Sequence, residues 1–539
     1  MELQGPVPVG TRFHAASGHL GTIKYVGPVD GTPGIWYGVE WDDPNRGKHD
    51  GVKDGRRYFT CLVPNAGSFI RPSKSLNFGC TFLAALSAKY IDETHDASGS
   101  EKIILGSSNG AIEVEAVGFD KVRSKLRDLD RLREVSLDNE KVAFMDTPGQ
   151  IRRSCPNVRG LDLSKNLLPS WNVVAAITVE LPCLERLILN QNRFLPLGSG
   201  LLATAFEHVA ELQLNDTLIT WAEFREVVCF MSALRVAELG YNRLTSLSPK
   251  SPKPAPPIHD LNFDINELND WASVVPSLSE FVALRRLVLS RNGICTIPPL
   301  GQECSPLQSV RSLALSENRL NDWQDIDRLA QWYPRLESLN LAGNPLTESM
   351  LIIHSLHIFS TGPFQDGRFA RHSRQFAIAK IPTLLALDGT AICGRERADS
   401  ELFYLSFISR NLSGNEEEIR CAHPQWTALC NKHGRPSERL PGGGDDTKLS
   451  KSLINVNVYR CLTRKPTPLK TLPTTKVAIF RLQLMKTLKL PRSVSRNMVE
   501  IWLSMEDGFV ELCDDRHDLG WYGIENGSDV FVTVNSTEQ

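Results

Sequence analysis

The sequence predicts a multidomain chain of mixed α/β and β class. It should hold a small β-rich module, a long solenoid of strand-and-helix repeats, and a C-terminal module of strands around one helix. Three observations predict this. A nine-residue pattern returns at nearly constant spacing between residues 158 and 344. The first 75 residues alternate glycines with short β-type runs. Residues 450–539 place one helical stretch between alternating apolar runs. The length of 539 residues agrees, because roughly 150 residues per domain gives three or four domains.

The repeat template is LxxLxLxxN. It runs from Val158 to Asn166 and returns at Leu184–Asn192, Leu234–Asn242, Ile258–Asn266, Leu284–Asn292, Val310–Asn318 and Leu336–Asn344. Val209 to Thr217 fits with Thr in the last place. The ninth positions are 26, 25, 25, 24, 26, 26 and 26 residues apart. A weaker copy, Leu132 to Glu140, comes one period earlier and lacks the Asn. This period and pattern are the signature of leucine-rich repeats. Leucines at positions four and six point inward from a short strand. The Asn satisfies backbone groups where the chain turns off that strand. No single repeat buries its own apolar face, so the copies stack into a curved solenoid.

Trp323 to Trp332 has helical periodicity and fits the convex side. Trp171, Trp271 and Trp323 each lie five residues after a repeat Asn and read as core staples. Ser246 to Pro257 holds five prolines, which exclude a helix there. Ile381 to Gly389 resembles a C-terminal cap of such arrays. It lies further from Asn344 than one repeat, so Leu351 to Arg368 reads as an insertion. Template positions three, five and seven face the concave side. They supply Asp162, Glu211, Glu238, Asp260 and Asp264 against the single base Arg186 in the first five clear copies. Arg286 follows, and the last two copies are small or neutral. Glu211, Glu238, Asp260 and Asp264 are therefore the candidate concave protein-binding face.

Pro424 to His433 reads as a short helix stopped by Gly434, and Leu440 to Asp446 as a flexible linker. Leu453–Tyr459, Met498–Leu503 and Val530–Val534 read as strands, with a helix over Val477–Leu488. That order resembles a ubiquitin-like β-grasp domain. The last residues carry no Gly-Gly pair, so a conjugated modifier is not expected.

At the other end, Gly21–Gly27 and Trp36–Trp41 read as strands. Gly47-Lys48-His49-Asp50-Gly51 follows, then Tyr58–Cys61 and Gly67–Pro72. This segment resembles a CAP-Gly domain over its whole length. That family's hallmark is GKNDG, and His49 stands here in place of Asn. The resemblance implies a small β-rich fold that binds acidic C-terminal tails ending in Glu-Glu-Tyr or a similar aromatic, as on α-tubulin. The residues make the same sense unaided. Gly47 and Gly51 let a ligand backbone approach closely. Lys48 offers charge to a terminal carboxylate. Trp36 and Phe69 frame an aromatic groove. His49 can donate in place of the amide and would add pH sensitivity if it titrates near 6.5. Trp36, Gly47, Lys48, His49, Asp50, Gly51, Phe69 and Arg71 are the candidate tail-binding residues.

Composition narrows the function. Lys and Arg total 60 and Asp and Glu total 62, a net charge of -2. This argues against nucleic-acid binding through global charge. The sum is a cancellation, with residues 1–75 and 450–539 each at +2 and the middle at -6. No stretch approaches the roughly 18 apolar residues of a membrane span. Twelve cysteines without a CxxC pair and no visible secretory leader read as reduced thiols of a cytoplasmic protein. Cys421, His423, Cys430 and His433 have a spacing that matches no common zinc finger, and a helix explains them without metal. There is no GxxxxGK[ST] loop, HExxH or hydrolase elbow. The expectation is a binding protein rather than an enzyme, with no cofactor and no metal.

The three modules in this order resemble the tubulin-folding cofactor E family. The runs Trp36–Asp42, Phe69–Pro72, Asp162–Leu168, Thr217–Glu223 and Leu429–Gly434 carry that likeness too. The domains then run as follows: 1–78 CAP-Gly, 79–130 connecting segment, 131–400 leucine-rich repeats with their cap, 401–450 short helix and linker, and 451–539 ubiquitin-like. The resemblance implies a chaperone of the cytoplasm and cytoskeleton that binds α-tubulin. It would act with cofactors B, C and D in assembling and dissociating the αβ heterodimer. The alternative is a leucine-rich-repeat scaffold linking microtubule-associated proteins to ubiquitin or proteasome machinery.

Overall fold

The computed structural model describes residues 7–90, 103–105, 112–114, 129–197, 204–247, 254–301, 304–347, 372–411, 416–436, 453–460, 466–491, 494–505 and 508–534. The chain divides into two compact units, Met1–Pro436 and Ser437–Gln539. Among the described residues no helix is long and apolar enough to cross a membrane.

Every clear copy of the repeat puts template positions three to five into a strand, from Gly160–Asp162 to Ser338–Asn340. The strands pair in parallel and in register, Leu161 beside Leu187 and Leu187 beside Leu212. The weaker copy opens the sheet with Glu134–Ser136. Ala386–Leu387 of the expected cap closes the parallel run against Ser338–Leu339. Positions four and six are sealed: Leu161, Leu163, Leu187, Leu189, Leu287 and Leu289 are at most 1% exposed.

The ninth-position asparagines form a buried polar spine. Each Nδ2 donates to the sixth-position carbonyl of the copy before, as Asn292 does to Phe263 and Asn318 to Leu289 at 2.9 Å. Each Oδ1 accepts from the copy before, as Asn318 does from the Asn292 and Ile294 amides at 3.0 and 3.1 Å. The spine is what lets a parallel sheet turn a corner in every repeat without stranding backbone groups. Position eight lies in the left-handed region throughout, with φ of 53° at Lys165, 60° at Tyr241 and 52° at Ile265. A β-branched residue there is strained, so the ladders on either side hold Ile265 against its own preference.

Thr217 is the weak rung. Its Oγ1 donates to its own copy's Leu214 carbonyl, and no bond to Leu189 or from the Asn192 amide is found among the described residues. Thr217→Asn should complete the rung and raise stability by about 1 kcal/mol. Chemical denaturation of the two chains checks this, and an unchanged or lower midpoint contradicts it.

Helices cover the convex side where the sequence permits them. They span Trp171–Thr178, Trp221–Val228, Trp271–Val274 and Trp323–Trp332, each with Trp as its first residue. Asp270 and Asp322 cap two of them, and Thr220 with Glu223 forms a capping box on a third. Trp171, Trp221 and Trp271 are buried, which fits the staple reading. Trp221 lies four residues after Thr217 rather than five, which hid it from the spacing. Trp323 is half-buried and packs on Phe376 of the cap, ring centroids 5.4 Å apart. In the proline-rich repeat, residues 254–257 form no helix, and 248–253 lie outside the described residues. So do the insertion Leu351–Arg368 and the linker Leu440–Asp446.

Both ends of the array are closed. Cys80–Thr81 pairs with Val142–Phe144, and the helix Phe82–Tyr90 sends Phe82, Ala85 and Leu86 into the repeat core. Residues 79–90, expected as part of a connector, are thus packed as an N-terminal cap. At the other end, helices Ser373–Lys380, Gly394–Asn411, Glu416–Ala422 and Trp426–His433 share a core of Phe376, Tyr404, Ile408, Trp426 and Leu429. Gly434 ends the last helix at φ 85°, as its position predicts. A buried ion pair between Lys380 and Asp327 joins this helical cap to the last repeat helix.

The second unit is a β-grasp. Asp529–Val534 lies central and parallel to Ile454–Arg460, which is flanked in turn by antiparallel Thr467–Thr471. Val499–Met505 and Gly508–Glu511 complete the sheet on the other side. The helix Val477–Thr487 packs Phe480 and Leu484 onto Val456, Val458, Ile501 and Val530.

Candidate functional site

The N-terminal domain is built on four antiparallel strands, Arg12–His14, Leu20–Val29, Thr32–Trp41 and Gly67–Ile70. Phe13, Ile23, Tyr37, Val39 and Trp41 fill its core. Buried Arg12 grips Asp42 through two hydrogen bonds of 2.5 and 2.6 Å. Glu40 accepts from the Leu62 and Val63 amides and pairs with Lys24, which ties down the segment leading to Gly67.

The Gly47–Gly51 loop is clamped to Gly67. The Lys48 amide donates to the Gly67 carbonyl at 2.7 Å, and Gly67 returns a bond of 2.7 Å to the His49 carbonyl. Both loop glycines are sterically required. A Cβ on Gly47 would sit 2.0 Å from the Asn65 carbonyl oxygen. One on Gly51, at φ +94°, would sit 2.1 Å from that of Phe59.

Beside this loop lies a groove of about 480 Å³. Trp36, Phe69 and His49 form its aromatic wall, and Arg46, Lys48 and Lys53 its cationic side. No carboxylate lines it among the described residues. Phe69 is braced by Tyr58, Phe59 and His49, with centroids 5.0 to 5.5 Å away. Arg71 stacks over Trp36 at 3.9 Å. In the floor, the Ser68 hydroxyl is buried without a hydrogen-bond partner among the described residues. Such an arrangement favours a ligand with both an anionic and an aromatic end.

The structure brings Trp36, Lys48, His49 and Phe69 together. Asp50 is engaged elsewhere, paired with Arg57 at 2.9 Å, and that bond holds its carboxyl below the usual range. His49 Nδ1 accepts from the Gly51 amide at 3.0 Å, which leaves Nε2 to donate. Burial pushes its pKa down, and nearby Lys48 adds to this against Asp50. The imidazole is therefore a neutral loop brace at pH 7, rather than a charge that switches near 6.5. Sequence reasoning missed Arg46 and Lys53. Their signal was the run of bases immediately flanking the glycine loop.

This domain is packed on the start of the array. Leu20 forms an apolar cluster with Ala143 and Leu167. Leu195 lies against Gly10, where an added Cβ would be 2.7 Å from its Cδ1. On the concave side, Glu211 is engaged by Arg186, which also reaches Glu134. Glu238 accepts from Asn215 at 2.9 Å. Asp260 lies opposite Arg286 in the register. Burial raises the pKa of Asp264, whose Oδ1 has no hydrogen-bond partner among the described residues. The cysteine and histidine pairs near 421–433 do not converge. His423 bonds to the Tyr404 hydroxyl at 2.8 Å and His433 to Glu401 at 2.5 Å, while Cys421 is exposed.

Comparison with known proteins adds the following. The CAP-Gly domain family model matches residues 9–75. The chain is 31% identical over 544 residues to a protein of Danio rerio named tubulin-specific chaperone E, covering 97% of this chain and 98% of that one. It is 32% identical over 554 residues to the Bos taurus protein of that name, with the same coverage. It is 31% identical over 557 residues to the Homo sapiens protein, again at 97% and 98%.

Proposed function

The chain belongs to the tubulin-specific chaperone E family, and from that premise we propose that it is a tubulin-folding chaperone that takes the acidic C-terminal tail of α-tubulin in the groove of its CAP-Gly domain. It then acts with tubulin cofactors B, C and D, in the cytoplasm and on the cytoskeleton, in assembling and dissociating the αβ heterodimer. Its action is to bind and present. The observation that carries the reading is the groove itself, three cations beside Trp36 and Phe69 with no carboxylate among its lining residues. A tail's terminal carboxylate meets Lys48, its acidic residues meet Arg46 and Lys53, and its last ring packs on Phe69. His49 Nε2 supplies the donor that the usual Asn would give. The candidate acids Glu211, Glu238, Asp260 and Asp264 form a second contact, for a basic surface of folded client.

Fluorescence anisotropy with a labelled α-tubulin tail peptide tests the tail reading. Lys48→Ala should weaken binding roughly tenfold, as expected for one charge-assisted contact of about 1.5 kcal/mol, and removing the terminal aromatic should weaken it by a similar factor through the ring packing lost on Phe69. Equal affinity for the shortened peptide and for the variant would reject it.

A further inference from the structure

Position two of the template, just before each strand, forms a row along one rim of the array. The row is continuous in hydrogen bonds. The amide of each member donates to the carbonyl of the previous one, through Arg133, Arg159, Glu185, Ala210, Arg235, His259, Arg285, Arg311 and Glu337. Neighbours in such a row lie about 4.8 Å apart along the sheet. In the first part a charge is answered within the row, as Arg159 is by Glu185. Arg311 at the far end is answered by Glu337. Between them the pattern changes. Arg235, Arg285 and the adjoining concave residue Arg286 have no carboxylate within 4.0 Å among the described residues. Arg285 and Arg286 are exposed and make no side-chain hydrogen bond there.

Like charges at sheet spacing repel. Among the described residues some exposed arginines are answered by an acid, as Arg291 is by Glu317, and others, such as Arg243 and Arg335, have none within 4.0 Å. In the middle of the rim Arg235 and Arg285 have no acid within 4.0 Å among the described residues, and Arg286 is opposed across the sheet only by Asp260. We propose that Arg235, Arg285 and Arg286, with the Glu337-paired Arg311 beside them, form a docking strip for an extended acidic polypeptide segment. Three steps of the row span roughly 14 Å, the length of about four residues of extended chain. A nucleic acid fits less well. Its wider, longer backbone would overrun the strip onto Asp260, Glu238 and Glu337. The strip is separate from the CAP-Gly groove and does not depend on the tail reading.

The test uses the full chain and a fluorescein-labelled Glu-rich 12-residue peptide with an amidated C-terminus and no aromatic. This peptide lacks the terminal carboxylate and the ring that Lys48 and Phe69 would read, and keeps only acidic residues for Arg46 and Lys53 to meet. Anisotropy should give at least tenfold weaker binding for the double variant Arg285→Glu/Arg286→Glu, and for Arg285→Gln/Arg286→Gln a smaller loss in the same direction. Lys48→Ala should change the affinity less than twofold. Thermal melting monitors folding, and if the Glu variant melts early the Gln variant decides. The proposal is overturned if correctly folded rim variants bind as the parent does, or if the loss appears only with Lys48→Ala. It is also overturned if an oligothymidylate of equal charge binds the parent more tightly than the peptide and loses that binding in the rim variants.

Discussion

Asn318→Ala should destabilise the repeat array by roughly 3–5 kcal/mol, far more than any surface change in the same repeat. The side chain serves three buried backbone groups of the copy before at once, and its Nδ2 also donates to the Leu315 carbonyl of its own copy. Its Nδ2 donates to the Leu289 carbonyl, and its Oδ1 accepts from the Asn292 and Ile294 amides. Alanine leaves all three without partners in a site where Asn318 is only 4% exposed, so water is poorly placed to replace it. Each unmet buried group costs about 1–3 kcal/mol, and the three do not add fully because the turn relaxes. A chain of several modules need not unfold in one step, so the local readout is decisive. Amide exchange at Asn292 and Ile294 should accelerate by orders of magnitude, while amides of the β-grasp unit keep their parent rates. A loss under 1 kcal/mol with unchanged exchange would show that the spine is not what holds the turns.

That spine was legible in the sequence because its members recur. Eight copies of one template fix the strand positions, the inward leucines and the ninth-position side chain without any three-dimensional information. What recurs in the backbone alone was not legible. Position eight is left-handed at Lys165, Gln191, Asp216, Tyr241, Ile265, Arg291 and Glu317, residues with no shared chemistry. The stacked ladders impose that conformation over local preference, and only Gly343 advertises it. The N-terminal cap was hidden for a different reason. Cys80–Thr81 finds its partner at Val142–Phe144, about sixty residues on, and Phe82–Tyr90 is too evenly apolar to show a face. Charge was half legible. The acids at 211, 238, 260 and 264 follow from the template, but Arg186 bridging Glu134 and Glu211 depends on the irregular first copy. In the groove, residue types named Lys48, Trp36 and Phe69. That Asp50 turns to Arg57, and His49 Nδ1 to Gly51, is decided by distances no motif encodes.

Gly51→Ala should weaken tail-peptide binding roughly 10- to 100-fold while leaving the array's melting unchanged. Two costs combine. Alanine at φ +94° is strained by about 1–2 kcal/mol. Its Cβ would also meet the Phe59 carbonyl oxygen at 2.1 Å, a backbone atom that cannot rotate away. Either the loop or the Tyr58–Phe59 segment must move. Loop movement breaks the Gly51 amide bond that orients His49 and displaces Lys48. Movement of Phe59 disturbs the ring packed on Phe69. Losing one or two charge-assisted contacts, about 1.5–3 kcal/mol, gives the stated range. Gly55→Ala separates strain from collision. Gly55 is also left-handed, at φ +79°, but a Cβ there meets nothing within 4 Å. It should cost about the same backbone strain and leave tail affinity within twofold of the parent. Anisotropy on the three chains decides between the causes. If Gly55→Ala loses as much as Gly51→Ala, general loosening of the domain explains the effect. If neither loses binding, the loop does not shape the groove. Loss confined to position 51 means the ligand reads a loop held at one spacing from Phe59, where the clearance for a β-carbon is nil.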